Sequence, residues 1–569
     1  MARRWGAEPL GDGARFRLWA PDRETVTLEI RGEESLPMKR ESEGWFVGES
    51  PARAGMRYRF RLSDELAVAD PASRMQDGGV HGWSVLTDPQ GFDWQTRDWT
   101  GRPWEETVIE EVHPGVLGGF AGVAERLPAL AELGVTAVEL MPVGAFSGTR
   151  NWGYDGVLPY AVAESYGSPN ELKALVDRAH DLGLMVFLDV VYNHFGPDGN
   201  YLGVYASEFF DEHAHTPWGG AVAVAREPVR RFFIDNALMW LDEYRIDGLR
   251  FDAVHAIADD EFLDAMAREI RAKLPGRHIH LMLENEGNDP ERLAPGLYDA
   301  QWNDDFHNVL HVLLTGESEG YYRGFAEEPT RKLARCLGEG FVYQGETPPG
   351  SDHARGKPSG DMPANRFVSF LQNHDQIGNR AMGERLTQLV DRDRLRAATA
   401  LLLLCPQIPM IFMGDSEGSR SPFLFFTDFH DELADAVREG RRGEFAGFAG
   451  FSDERARASI PDPNDPATFR RSRPEPGPDA EEWRDFYRDL LALRQEQVVP
   501  RLRRARGLGA EVLGEGAVAA KWRMGDGAEL AIAFNLGAKP VDFPPQEGTL
   551  LFELGEAGEP ASLCAWMLS

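Results

Sequence analysis

The sequence has few cysteines and no long apolar run. Only three cysteines, Cys336, Cys405 and Cys564, occur in 569 residues, and no two of them form a CxxC pair. A disulfide framework or a structural zinc site is therefore not expected, and a cytoplasmic location fits this composition. No apolar stretch follows Arg3 and Arg4, and no segment reaches the length of a membrane span. We predict neither a signal peptide nor a membrane anchor.

Basic residues are scarce relative to acidic ones. The chain contains 60 Lys+Arg and 92 Asp+Glu, which gives a formal net charge of −32. Such a surface repels nucleic acids and anionic lipids, so we predict neither as a partner. A neutral small-molecule substrate fits this charge, and an acidic surface that only maintains solubility is an equally good interpretation.

The residue pattern predicts three domains. Residues 1–95 alternate apolar and polar positions between turn residues, which is typical of a β-sandwich. In residues 105–488 short apolar strands alternate with amphipathic helices, which predicts an α/β fold of the (β/α)8 TIM-barrel type. Residues 489–569 return to a β pattern and are predicted to form a C-terminal β-sandwich. The long connection 193–235 is predicted to be an inserted loop subdomain over the site.

Eight apolar segments are candidates for the barrel strands. An open doubly wound sheet is the alternative, but no Gly-rich phosphate loop follows the first of these segments. The segments are Val108–Val112, Val135–Met141, Met185–Val191, Gly248–Val254, His280–Glu284, Ala300–Asn303, Phe367–Leu371 and Pro409–Met413.

Four acidic segments lie at or after the ends of predicted strands. They are Asp189–His194, Gly248–His255, Leu283–Glu286 and Phe370–Asp375. Because parallel barrel strands open at one face, we expect these side chains to share one mouth. Carboxylates delivered from several strand ends indicate acid/base and nucleophilic chemistry.

Three carboxyl groups in these segments suit different roles. Arg250 and Asp252 are two residues apart on a strand and share a face, so Arg250 can keep Asp252 ionised as a nucleophile. Glu284 follows three apolar residues, and partial desolvation suits a general acid. Asp375 and His374 are candidates for binding sugar hydroxyls. For each residue alone an ordinary strand-end salt bridge is the better interpretation, whereas the set together favours an active site for glycoside hydrolysis.

Other residues near these segments are weaker candidates. Tyr154 is a plausible stacking platform for a sugar ring, whereas its neighbour Trp152 is equally well a core residue. His255, His307 and Glu286 match no compact ligand motif, so we predict no metal and no other cofactor.

The four segments resemble the signature regions of the α-amylase superfamily of glycoside hydrolases. The resemblance implies that Asp252 is the nucleophile, Glu284 the proton donor and Asp375 the transition-state stabiliser of a retaining mechanism. The matching hallmark positions are Asp189, His194, Arg250, Asp252, Glu284, His374 and Asp375.

Further segments, including Asn151–Val157, Gln301–His307 and Gln372–Arg380, are similar to a narrower family within this superfamily. Its members cut the α-1,4-glucosidic bond next to the terminal trehalose of maltooligosyltrehalose and release trehalose and a maltooligosaccharide. Two segments, His113–Leu117 and Met413–Arg420, depart from the family pattern. Alternatives are a glycogen branching or debranching enzyme and a catalytically silent glucan-binding protein.

The resemblance also implies a set of substrate-binding residues. Trp218 and the segment Asp304–Asn308 are candidates for recognising the α,α-1,1 linkage. The expected substrate-binding residues are Tyr154, His194, Arg250, Phe251, Ala253, Val254, His255, Asp304, Asp305, Phe306, His307, Asn308, His374, Gln376, Ile377, Gly378 and Asn379.

Overall fold

The structure is a computed structural model that describes residues 5–216, 219–257 and 259–568. Its N-terminal strands form two antiparallel sheets, in the orders β1-β2-β6-β5 and β4-β3-β7-β10-β9, with β8 beside β7. Phe16 and Leu18 from the first sheet and Leu28 and Phe60 from the second are fully buried, as the alternating pattern predicts. The strands are β1 (Glu8–Leu10), β2 (Gly13–Trp19), β3 (Thr27–Ile30), β4 (Leu36–Pro37), β5 (Lys39–Arg40), β6 (Trp45–Ser50), β7 (Arg57–Arg61), β8 (Ala67–Val68), β9 (Gln76–Asp77) and β10 (Trp83–Val85).

The central strands close into a barrel in the order β11-β12-β15-β18-β19-β20-β21-β22, and every neighbouring pair is parallel. All eight predicted barrel strands are confirmed, with bounds shifted by one to three residues. The strands are β11 (Ile109–Val112), β12 (Ala137–Leu140), β13 (Gly144–Phe146), β14 (Gly156–Val162), β15 (Met185–Val190), β16 (Phe210–Thr216), β17 (Gly219–Val222), β18 (Gly248–Phe251), β19 (His280–Leu283), β20 (Ala300–Trp302), β21 (Phe367–Ser369) and β22 (Ile408–Phe412).

Helices follow most of the barrel strands. Helix α2 is capped at its C-terminal end by Gly134, whose φ of 101° lies in the left-handed region that favours glycine. The helices are α1 (Pro114–Leu117), α2 (Gly119–Leu133), α3 (Pro169–Asp181), α4 (Leu202–Tyr205), α5 (Glu227–Leu238), α6 (Asp260–Lys273), α7 (Asp304–Thr315), α8 (Pro329–Glu339), α9 (His374–Gly378), α10 (Leu386–Leu389), α11 (Arg392–Leu404), α12 (Asp431–Glu444), α13 (Glu454–Ala458), α14 (Pro466–Arg471) and α15 (Ala480–Leu493).

The connection 193–235 contains α4, β16, β17 and the first turns of α5. Trp218, a candidate for linkage recognition, lies outside the described residues. Across the described ranges, no helix combines the length and the apolar composition needed to cross a membrane.

The C-terminal strands form one five-stranded antiparallel sheet in the order β23-β24-β25-β27-β26. The β character is confirmed, but the second sheet of a sandwich does not occur in the part of this segment that the structure describes. Helices α8 and α11 pack against the sheet instead; Trp522 Nε1, for example, donates to the carbonyl of Leu337 at 3.0 Å. The strands are β23 (Arg506–Gly514), β24 (Ala517–Arg523), β25 (Glu529–Asn535), β26 (Thr549–Leu554) and β27 (Ser562–Leu568).

Candidate active site

The three predicted catalytic carboxyl groups follow strands of the same parallel barrel. Asp252 comes directly after β18, Glu284 directly after β19, and Asp375 is the second residue of α9, which follows β21. Parallel strands end at one face of a barrel, so these side chains meet in its mouth. The fold thus brings together three acidic residues that are far apart in the sequence.

The Arg250 guanidinium is the centre of the site. Its Nη1 atom donates to Asp189 Oδ2 and to Asp252 Oδ1, both at 2.7 Å. Its Nη2 atom lies 2.9 Å from Glu284 Oε2. The guanidinium carbon sits 4.1 Å from the centre of the Trp302 ring, and the side chain is fully buried. One cation therefore contacts both the predicted nucleophile and the predicted acid.

Asp252 is held in its ionised form. Burial alone would raise its pKa, but the Arg250 guanidinium and the Asn193 amide together hold the pKa below its ordinary value. Asn193 Nδ2 donates to Asp252 Oδ2 at 2.9 Å, so both carboxylate oxygens accept a hydrogen bond. An ionised carboxylate in a fixed orientation is the form that a nucleophile requires.

The pKa of Glu284 is shifted in the opposite direction to that of Asp252. Burial raises its pKa well above the ordinary value; the negative charges of Asp252 and Asp375 add to this, and Arg250 only partly opposes it. The backbone N–H of Ala253 donates to Glu284 Oε2 at 2.8 Å, from a left-handed backbone with φ of 40°. Oε1 accepts no hydrogen bond from the described part of the chain and is free to carry the acidic proton.

His374 is an imidazolium that faces Asp375. Its Nδ1 atom lies 2.5 Å from Glu111 Oε1, and its Nε2 atom lies 3.5 Å from Asp375 Oδ1. Burial opposes the charged form, but the Glu111 and Asp375 carboxylates outweigh it and raise the pKa of His374 to about 10. The Tyr154 ring stacks on His374 with a centroid distance of 5.1 Å, and its hydroxyl donates to Asp189 at 2.5 Å.

Other predicted binding residues form the rim of the mouth. Burial raises the pKa of Asp304 to about 7, and Gln376 Nε2 donates to its carboxyl at 3.4 Å. Asn379 Nδ2 donates to Asp375 Oδ1 at 3.2 Å, and His255 is exposed nearby, 3.7 Å from Glu286. His194 is buried against the backbone carbonyl of Tyr154 at 3.0 Å.

A second group of predicted binding residues lies behind this rim. Asp305 is fully buried, pairs with Arg355 at 2.9 Å and accepts backbone N–H groups from residues 342 and 343. His307 is also buried and contacts the carbonyl of Leu371 at 2.6 Å. The other members of this group are Phe251, Ala253, Val254, Phe306, Ile377 and Gly378, which are buried, and Asn308, which is half-buried.

Three residues of the site were not predicted from the sequence as its members: Glu111 beside His374, Trp302 beneath Arg250, and Glu139 in the barrel interior. Asn193, beside Asp252, lies in the segment Asp189–His194 that was expected at the mouth, but no role was predicted for it. The available signal was weak: Glu111 and Glu139 are acidic residues inside otherwise apolar strands, where an ionisable side chain is costly unless it has a role.

Comparison with known proteins identifies the class. The family described as "Alpha amylase, catalytic domain" matches residues 73–218, and "Domain of unknown function (DUF3459)" matches residues 505–566. A crystal structure from Salmonella typhimurium whose description names an alpha amylase superimposes with a TM-score of 0.95 at 43% identity, and the alignment covers 100% of both chains. Together with the closed barrel, these matches define a glycoside hydrolase of the α-amylase class.

Closer relatives identify the family. The malto-oligosyltrehalose trehalohydrolase of Deinococcus radiodurans is 44% identical over 513 residues, which cover 87% of this chain and 84% of the relative. The Saccharolobus solfataricus protein of the same name is 40% identical over 505 residues, covering 85% and 86%. The chain belongs to the malto-oligosyltrehalose trehalohydrolase family.

Proposed function

We propose that this protein cleaves the α-1,4-glucosidic bond next to the terminal trehalose of maltooligosyltrehalose, with retention of anomeric configuration. The observation that supports this most directly is the Arg250 guanidinium, which contacts an ionised Asp252 and a protonated Glu284. A retaining glycosidase needs such a pair, one carboxylate to attack and one carboxylic acid to protonate the leaving group. The substrate is inferred from the names of the relatives.

In the first step the Asp252 carboxylate attacks the anomeric carbon. Glu284 gives its proton to the glycosidic oxygen, the bond breaks, and trehalose leaves while the maltooligosaccharide becomes an ester of Asp252. The fixed contacts of Asp252 with Arg250 and Asn193 keep the attacking carboxylate oriented, so little reorganisation accompanies this step.

In the second step a water molecule replaces Asp252 at the anomeric carbon. The Glu284 carboxylate, now ionised, takes a proton from this water, and the ester bond to Asp252 breaks. Asp252 and Glu284 return to their starting protonation states, and the two inversions give net retention. Asp375 and His374 hold sugar hydroxyls and stabilise the positive charge that develops on the ring.

The rim residues are the proposed contacts to substrate. Tyr154, His255, Asp304, Gln376 and Asn379 surround the three carboxyl groups and offer ring faces, amides and carboxyl oxygens to sugar hydroxyls. The buried group, with Asp305 and His307, supports this rim from behind. The substrate and the trehalose product are neutral carbohydrates, which fits the acidic surface, and the cytoplasm stays the predicted location.

The activity is tested by product analysis on two substrates. With maltooligosyltrehalose we expect free trehalose as the main product, and proton NMR of the first products should show the α-anomer of the new reducing end. Linear maltodextrins released from glycogen in preference to trehalose would instead indicate a debranching enzyme, and a β-anomer would contradict the retaining mechanism.

The nucleophile is tested with Asp252→Ala. This variant should lose more than about 10³-fold in kcat while it keeps the circular dichroism spectrum of the wild type. Asp259→Ala, which removes a carboxylate outside the mouth that caps α6, is the matched control and should stay active. Near-normal turnover of Asp252→Ala would contradict the assignment of Asp252 as the nucleophile.

A further inference from the structure

Glu139 is a buried carboxyl group without a partner in the described ranges. It lies on β12, its side chain points into the barrel, and only 1% of the residue is exposed. Neither of its carboxyl oxygens has a hydrogen-bond partner among the described residues. The catalytic mechanism described above does not use it, and an ionised carboxylate in this position would be costly.

Charged groups from four elements face Glu139. Its register neighbour on β11 is Glu111, and Asp189 on β15, Arg250 on β18 and His374 on α9 act on it electrostatically. Burial comes first, followed by the Glu111 and Asp189 carboxylates, and together they raise the pKa of Glu139 well above its ordinary value. Arg250 and His374 oppose this only in part.

The charges around Glu139 already form two pairs. Glu111 contacts the His374 imidazolium at 2.5 Å, and Asp189 contacts the Arg250 guanidinium at 2.7 Å. Each buried cation therefore has its own buried anion beneath the catalytic carboxyl groups. A third anion at Glu139 would repel both existing anions and compete with them for the same cations.

We propose that Glu139 is a positioning residue: an un-ionised carboxylic acid that preserves the pairing of Glu111 with His374 and of Asp189 with Arg250. Its effect on the reaction is indirect, because His374 and Arg250 contact Asp375, Asp252 and Glu284 whereas Glu139 does not. This role deepens the proposed function, since it concerns the same site, but the protonation state can be measured without any substrate.

The first experiment measures the proton on Glu139 directly. The infrared spectrum of the wild type near neutral pH should contain the carbonyl stretch of an un-ionised carboxylic acid that is lost in Glu139→Gln. Glu243→Gln, which removes another buried carboxyl that lies beside Arg74 and Lys173, is the matched control and should leave that band in place. Because Glu284 is also protonated, the reading is the difference spectrum of wild type minus Glu139→Gln, and a difference spectrum without a carboxylic-acid band would overturn the proposal.

Thermal unfolding as a function of pH gives an independent test of the protonation state of Glu139. A carboxyl group whose pKa is raised on folding contributes stability that falls as pH rises from the unfolded pKa toward the folded one. Glutamine cannot ionise, so the melting temperature of Glu139→Gln relative to wild type should increase as the pH rises above about 5. A constant difference, or one that decreases, would contradict an un-ionised Glu139.

The last experiment separates charge from packing. Glu139→Gln, which mimics the protonated acid in charge and volume, should keep kcat and KM within about twofold of wild type. Glu139→Ala is also neutral but leaves a cavity, so it should lose more in kcat than Glu139→Gln. A glutamine variant that loses about tenfold or more in kcat would show that the anion is required and would overturn the proposal. If the protein acted on another glucan, the infrared and melting results would stand unchanged, which distinguishes this failure from failure of the proposed function.

Discussion

The ion pair between Glu111 and His374 gives the sharpest prediction for the site. Glu111 accepts from both the ring Nδ1 and the backbone N–H of His374, at 2.5 and 3.0 Å. Replacing it by glutamine keeps the shape and an acceptor but removes the counter-charge. Burial then favours the neutral imidazole, and His374 no longer presents a positive charge to Asp375 and the substrate.

The structure sets the size of this effect. The pKa of His374 is raised from 6.5 to about 10, which corresponds to about 5 kcal/mol in favour of the imidazolium. Because the folded pKa exceeds the unfolded one, this stability is complete below about pH 6.5 and is lost as pH rises to about 10. In Glu111→Gln that pH dependence should disappear. Loss of a preorganised cationic donor should lower kcat/KM by about 10²-fold.

The matched control is Glu110, the preceding residue on the same strand. Glu110 is equally buried but points to the opposite side of β11, where Arg126, Asp415 and Arg385 surround it. Glu110→Gln should therefore leave kcat/KM within about twofold of wild type. NMR of ¹⁵N-labelled histidine rings, with His374 identified by His374→Gln, follows the titration. Equal losses in both glutamine variants, or a His374 pKa that stays near 10, would refute the reasoning.

Two further predictions concern Glu284 and a helix contact. Glu284→Gln should lower kcat on maltooligosyltrehalose by about 10²–10⁴-fold but much less on an aryl maltoside, whose leaving group needs no proton; equal losses would contradict the acid role. In Gly378→Ala the new Cβ would lie 2.0 Å from the Trp152 ring, so denaturant unfolding should show a loss of about 1–3 kcal/mol. In Gly440→Ala the new Cβ meets nothing within 4 Å, and a gain of up to about 1 kcal/mol is expected.

The barrel could be predicted from the sequence because its strands are short apolar runs at regular spacing. Helix boundaries are harder to predict from the hydrophobic pattern alone: α3 begins at Pro169, where the side chains of Ser168 and Glu171 form a capping box. Helices α13 and α14 are only five and six residues long, so their hydrophobic pattern is too short to show periodicity. The single C-terminal sheet is covered by helices from a distant part of the chain, which no local pattern indicates.

Some contacts within the site can also be predicted from the sequence, whereas others cannot. Arg250 and Asp252 share a face of one strand, so their contact follows from the two-residue period and could be predicted. The contacts of His374 with Glu111 and of Asp252 with Asn193 join elements that only the closed barrel brings together. The sequence offered candidates for these positions, but the pairing depends on barrel register.

Arg250 contacts both Asp252 and Glu284, so this cation alone cannot explain why one carboxyl is ionised and the other is protonated. The difference arises from the remaining neighbours. Asp252 receives a second hydrogen bond from Asn193, whereas Glu284 faces the carboxyl groups of Asp252, Asp375 and Asp304. The shared guanidinium therefore holds the two carboxyl groups close together. The additional hydrogen-bond donor beside Asp252 and the additional carboxyl groups around Glu284 determine which group is the nucleophile and which is the acid.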